Sequence, residues 1–378
     1  MNQKEIGELR RRLVIDKNRI TKIYGCFYNQ KKEIVSHLEE SVALMPQTEA
    51  ERYLALLKKC LSGTPDKNLV PIEFTTQQVV DSPEHKLLTA LRDSTLSDSE
   101  KREELFQKII DAAPITDSPV LILLAYDVYD VPYKGTDGIT QTDHSETQFR
   151  YFLCALCPVK ESKTELGYVA DEKSFRNCTF PQTVAAPEYG FLFPAFDDRA
   201  ANIYNALFYT RDTETVPDTL IDALFRSEIP MSAGEQKETF KTVLAESLEE
   251  DCSFDVLQSV HEQIREAIEQ HRESKDPEPL DFGVSDVTRI LEDSGIPEKR
   301  IERFKENCDR EFGENAALKP GNLINVKKFE METPQVRITV TPDFSYTVET
   351  RVIDGRKYVL IPADQGVSIN GINVNITD

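Results

Sequence analysis

The spacing of apolar residues changes period several times along the chain, and each change marks an expected element. Ile6, Leu9 and Leu13 recur at helical spacing behind Asn2, a good N-cap with Glu5 three positions on, so a helix is expected over 3–13. Two short apolar runs, 20–28 and 33–38, flank the polar Asn29-Gln30-Lys31-Lys32 and read as a β-hairpin. Thr48-Glu49-Ala50-Glu51 reads as a capping box that opens a helix through Cys60, stopped by Ser62-Gly63. Ser82-Pro83 places proline at the first position of a helix running to about Arg92, and a further helix fits 98–112.

The period then shortens. Strands are expected over 120–129, 149–158, 190–196 and 202–210, and the short gaps between them favour antiparallel pairing over helical crossovers. Asp197-Asp198-Arg199-Ala200-Ala201 is the expected loop between the last two. From about 218 to 314 the helical period returns: Val256, Val260, Ile264 and Ile268 form one apolar stripe. Ser285 is expected to cap a short helix ending at Gly295. Pro297 is expected to open another, with Ile301, Phe304, Cys308 and Phe312 on one face and Gly313 beyond its end. Lys275-Asp276-Pro277-Glu278-Pro279 reads as a linker. From about 324 the pattern alternates again, and Asp354-Gly355 and Asn370-Gly371 are type I′ hairpin signals. The expected class is α+β: a central antiparallel sheet, an acidic helical region and a C-terminal β-hairpin subdomain. The expected divisions are 1–113, 114–215, 216–318 and 319–378.

Composition adds charge to this outline. The chain of 378 residues carries a net charge of −21, with 39% hydrophobic and 29% charged residues. The charge is uneven. Residues 1–32 hold nine Lys/Arg against three Asp/Glu, a net +6, whereas residues 212–318 hold 12 against 28, a net −16. Overall acidity repels nucleic acid and anionic membranes at long range, but a basic arm still docks a phosphate backbone locally or packs on its own acidic body. The longest apolar run, Val120–Tyr126, is far short of the roughly 20 residues that span a bilayer, and no signal-peptide core follows the N-terminus. Seven scattered cysteines, an odd number, read as reduced thiols. A cytoplasmic protein with no membrane contact is expected.

Candidate chemistry is sparse. Cys154 and Cys157 form the chain's C-x-x-C, but on a strand they point to opposite faces and cannot grip one ion. His37, His85, His144, His261 and His271 show no metal-ligand spacing. No phosphate-binding glycine loop or nucleophile elbow occurs, so no catalytic residue and no cofactor is assigned. Two sets remain. Asp127, Asp130, Asp197 and Asp198 lie at strand ends, where clustered carboxylates hold Mg²⁺ for phosphoester chemistry, although Asp beside Arg199 in a short loop is also ordinary turn and salt-bridge chemistry. Arg10, Arg11, Arg12, Lys17, Arg19 and Lys22, followed by Tyr24, Phe27 and Tyr28, suit phosphate contacts with base stacking. They also suit an acidic protein surface, or a solvated helix face and hairpin edge.

The whole chain resembles a bacterial family of similar length known only as a domain of unknown function. Lys17-Asn18-Arg19-Ile20-Thr21 with Tyr24-Gly25-Cys26, Ala55–Lys59 with Leu61–Gly63, Glu84–Leu88 with Leu91–Ser94, Phe193–Arg199 and Val348–Gly355 carry the likeness. That resemblance implies no activity. The order of elements is similar to that of the bacterial nucleoid-associated protein family, which implies association with DNA and transfers no residue. Three readings follow: a cytoplasmic binding protein, nucleoid- or nucleic-acid-associated through its basic N-terminal segment; a divalent-metal phosphoester enzyme using the strand-end aspartates; or an oligomeric scaffold.

Overall fold

The two longest apolar runs become the central strands of one sheet. The computed structural model describes all residues except 135–139, 142–147, 161–163, 180–181, 228–230, 275, 277–279, 281, 314–317, 365, 370–371 and 375–378. His144 and the turn residues Asn370-Gly371 therefore lie outside the described residues, as does most of the expected linker 275–279. The described residues divide into two units, Met1–Glu235 and Gln236–Asp378.

The first unit contains α1 (Gln3–Arg12), β1 (Lys22–Tyr28), β2 (Ile34–Ser41), α2 (Gln47–Lys59), β3 (Leu69–Glu73), α3 (Thr76–Asp81), α4 (Pro83–Asp93) and α5 (Ser99–Ala112). There follow β4 (Val120–Asp130), β5 (Tyr133–Lys134), β6 (Thr140–Gln141), β7 (Gln148–Lys160), β8 (Thr164–Val169), β9 (Ser174–Thr179) and β10 (Thr183–Val184). The unit continues with β11 (Tyr189–Phe193), β12 (Ala195–Asp197), β13 (Ala200–Asn202), β14 (Asn205–Thr210) and α6 (Asp218–Phe225). The main sheet runs β2-β1-β4-β7-β11-β14-β3, with β10 against β7, and every pairing is antiparallel. The α+β class is thus observed. The sheet recruits β1, β2 and β3 from the first 113 residues onto both edges of the central strands.

Helices cover both faces. Ile6, Leu9 and Leu13 of the α1 region, with Leu54, Leu57 and Cys60 of the α2 region, pack on Leu123, Leu153, Ala155, Leu192 and Leu207. On the other face, α4, α5 and α6 bring Leu88, Ile109 and Phe225 against Ile122, Leu124, Phe152, Phe191 and Phe208. Two covered faces explain why β4 and β7 read as continuous apolar runs despite antiparallel pairing. Cys154 joins the α4–α6 layer and Cys157 the α1–α2 layer, so the pair is split across the sheet.

Some boundaries differ from expectation for local reasons. Proline at 46 presets the first turn of α2, which starts at Gln47 with no side-chain cap, so Thr48 is not the N-cap. Pro194 carries no N–H for the ladder, and the expected strand 190–196 divides into β11 and β12.

His85 sits at the N-terminal turn of α4. Its ring is buried, with Nε2 2.8 Å from the Ile203 carbonyl oxygen, and it meets Phe74 and Phe193 edge-on. Burial pushes its pKa below the ordinary histidine value of 6.5. The unfolded chain therefore takes up this proton first. Stability from neutral His85 is fully present above about pH 6.5 and is lost as pH falls through the lower folded value. Melting curves from pH 7.5 to 5 should show Tm falling with acid, and His85→Gln should flatten part of that slope. Equal slopes in the two proteins would assign the titration to another group.

The second unit holds α7 (Ala233–Leu248), α8 (Phe254–Ser274), α9 (Val284–Asp293), α10 (Glu298–Phe312) and α11 (Pro320–Leu323), α7 beginning just before the unit boundary. Val256, Val260 and Ile264 face its core with Phe240, Leu291 and Phe304, and Ile268 packs at the margin, as the stripe on α8 requires. The N-cap of α9 is Gly283, not Ser285: the Asp286 carboxylate accepts the Gly283 N–H at 2.9 Å and satisfies that end. Three hairpins follow, β15 (Phe329–Glu332) with β16 (Arg337–Val340), β17 (Glu349–Ile353) with β18 (Arg356–Leu360), and β19 (Val367–Ile369) with β20 (Ile372–Val374). Asp354 and Gly355 both take positive φ, 51° and 78°, as a type I′ turn demands.

Candidate functional site

Four of the residues singled out in the sequence, Arg12, Arg19, Asp127 and Asp130, meet at one place, where the C-terminal end of α1 reaches the end of β4. Helix α1 forms because Asn2 and Glu5 cap it reciprocally: the Asn2 side chain accepts from Lys4 N and Glu5 N, and Glu5 accepts from Asn2 N at 2.9 Å. Arg10, Arg11 and Arg12 fall in its last turn, where the helix dipole favours cations.

Asp127 is the centre of this place. It is only 1% exposed, and its carboxylate accepts from Arg19 N at 2.7 Å, Val128 N at 2.9 Å, the Tyr151 hydroxyl at 2.8 Å and Arg12 Nη2 at 3.3 Å. Arg12 also donates to the Val128 carbonyl oxygen at 3.0 Å and lies over the Tyr129 ring, 4.3 Å from its centroid. Burial, reinforced by the Asp127 charge, drives the Tyr151 hydroxyl well above its usual pKa, so it remains a donor. Next to this, Arg19 pairs with Asp130 at 2.5 Å, and Gln148 donates to Asp130 at 3.0 Å. Arg12 and Arg19 of the basic segment and the first pair of strand-end aspartates thus neutralise one another.

The second aspartate pair serves a neighbouring contact. Asp197 accepts from the Met1 amino group and from the amides of Asn202 at 2.8 Å and Asn205 at 3.3 Å. Burial opposes its ionisation, but these donors outweigh it and hold the carboxyl below its ordinary pKa. Asp198 is exposed and forms the β12–β13 turn with Arg199, both at positive φ (48° and 60°). Left-handed backbone costs a residue such as Arg about 1–2 kcal/mol. Contacts to Glu8 at 2.9 Å and to the Pro132 carbonyl oxygen at 3.2 Å offset that cost. Glu8 also accepts from the Tyr129 hydroxyl, whose pKa burial and Glu8 together push up to about 12.

Asp127, Asp130 and Asp197 are therefore turned to separate donors, and Asp198 is exposed in its turn. Among the described residues, no three His, Cys, Asp or Glu side chains are arranged to share an ion. The six basic residues divide in two. Arg12, Arg19 and Lys22 are tied to Asp127, Asp130 and Glu39, the last at 2.7 Å. Arg10, Arg11 and Lys17 have no ion-pair partner among the described residues, and Arg11 and Lys17 are exposed. Glu5, Glu8, Tyr129 and Tyr151 belong to the cluster; the sequence marks Glu5 only as the partner of the Asn2 cap, and the others had no signal beyond a tyrosine in an otherwise apolar strand.

The fold and this cluster define an α+β protein whose basic N-terminal helix is fastened to its own sheet by a buried polar lock. The chain belongs to the family described as domain of unknown function (DUF4317), whose model matches residues 1–372. No curated protein matches it in sequence. Among the described residues, no helix is long and apolar enough to cross a membrane.

Proposed function

We propose that this is a non-catalytic cytoplasmic binding protein that touches a phosphate backbone, and so the nucleoid, through Arg10, Arg11 and Lys17. What supports the reading is the division of the basic segment: these three cations have no carboxylate partner, while their neighbours are spent inside the protein. The unpaired state of Cys26, Cys60, Cys154, Cys157, Cys252 and Cys308 agrees with a reducing compartment. Contacts to three phosphates release about three counterions, giving a slope near −2.7 in log K against log salt. Between about 50 and 200 mM KCl, duplex binding followed by fluorescence anisotropy should weaken about 40-fold. Replacing Arg10, Arg11 and Lys17 together by Ala should abolish binding at low salt and lower Tm only slightly, because none of them has an ion-pair partner in the fold and only the helix-dipole contribution of Arg10 and Arg11 is lost. No binding at low salt, or an unaltered slope in the triple variant, would overturn the proposal.

A further inference from the structure

The hairpin β17–β18 has an anchored base and no cover. At the base Val348 is buried, the Ser345 hydroxyl donates to Glu262 of α8 at 2.6 Å, and Arg265 of α8 pairs with Asp343 at 2.5 Å. Beyond that anchor every residue from 349 to 359 is exposed, Val352 to 67%. Among the described residues, no further strand pairs with either edge of the hairpin. Two strands alone are marginal in water, and three or more with an apolar face are needed to stand independently. Half of the exposed large hydrophobic side chains among the described residues lie between 336 and 374. Such a concentration marks a contact surface.

Charge points to a second copy of this chain as the occupant. Residues 336–374 hold four Lys/Arg against four Asp/Glu, a net charge of zero in a chain of −21. Two copies repel one another elsewhere and meet here without that cost. The free backbone groups of β18 agree. Ile353 and Arg356 flank the two-residue turn and exchange backbone hydrogen bonds, so alternation turns the N–H and C=O of Lys357 and Val359 outward. Antiparallel pairing of β18 with itself about Tyr358 sets Lys357 opposite Val359 of the second copy, where these outward groups bond one another. It sets Arg356 opposite Leu360, and Tyr358 opposite Tyr358 at a non-hydrogen-bonded position, where side chains lie closest. No like charges face each other. Full-length self-pairing of β17, by contrast, sets Arg351 on Arg351, which is repulsive. We propose that β18 pairs in this register with β18 of a second copy, closing two hairpins into one four-stranded sheet.

Sedimentation equilibrium of the full chain should show the mass rising with concentration from that of one chain toward that of two. The seam belongs with the small, transient interfaces below about 1,200 Å², so the dimer should dissociate on dilution. Val359→Lys places a cation opposite Lys357 of the second copy, twice by symmetry, and should raise the dissociation constant about tenfold. Val359→Glu places a carboxylate there and should leave the dimer at least as tight as the parent. Val359→Pro removes an outward N–H that the hairpin's own ladder does not use and should abolish pairing. All three changes lie on the exposed hairpin and should melt like the parent. A single-chain mass at every concentration, equal weakening by the Lys and Glu variants, or a dimer that survives Val359→Pro would overturn the proposal.

Discussion

Replacing Asp127 by Ala should cost the first unit about 3–5 kcal/mol, the usual penalty for breaking a buried ion pair by removing one partner. The carboxylate is the common acceptor of Arg12, Tyr151 and two backbone N–H groups. Without it, the half-buried Arg12 charge and the fully buried Tyr151 hydroxyl lose their common acceptor. Arg12 Nε is already buried without a partner, so the guanidinium has little room to find a substitute. Asp127→Asn should also destabilise, because its amide offers two further donors to a place that supplies only donors. Urea unfolding monitored by near-ultraviolet dichroism of the tyrosines reports the loss. A cost below about 1 kcal/mol would place Asp127 among weak surface pairs and remove the lock from the account.

The second large effect is expected at Gly190. This residue lies on β11, opposite Ala155 of β7 and Tyr209 of β14. A β-carbon placed there would come within 2.6 Å of the Cys154 carbonyl oxygen and closer still to the Cys60 sulfur. One obstacle is backbone in a central strand and the other a fully buried side chain on α2's C-cap, so neither yields cheaply. Gly190→Ala should cost about 3 kcal/mol, the upper part of the range for overpacking. Cys60→Ala in the same chain relieves one of the two overlaps and should recover part of the loss. If Gly190→Ala matches the parent in urea, the close approach of α2 to the sheet is wrong.

Where sequence and structure part company, the physics is specific. Helix α1 and the Asp354-Gly355 hairpin were legible because their signals are local: a reciprocal cap in one case, two positive φ angles in the other. Strand β3 was not legible. Its sequence Leu69-Val70-Pro71-Ile72-Glu73 carries a proline that normally argues against a strand, and it is tolerated because β3 is the sheet's edge. The lock was half legible. Both of its charged sets were visible as sets, the basic segment and the strand-end aspartates. Their mutual neutralisation depends on Arg12 meeting Asp127 across 115 residues, and no local pattern encodes that contact.

The 115-residue interval between Arg12 and Asp127 also has a meaning in time. A ribosome adding about 5–20 residues per second takes roughly 6–23 s to supply the acid after the base. During that interval the nascent N-terminal helix displays its arginines unneutralised, and the apolar stripe of Ile6, Leu9 and Leu13 has no sheet to cover it. The young chain is thus a cationic, amphipathic segment beside a particle made largely of RNA. Emergence of β4 and β7 changes its character, because Arg12 then meets Asp127 and the apolar stripe gains its cover, while Arg10 and Arg11 stay without an ion-pair partner.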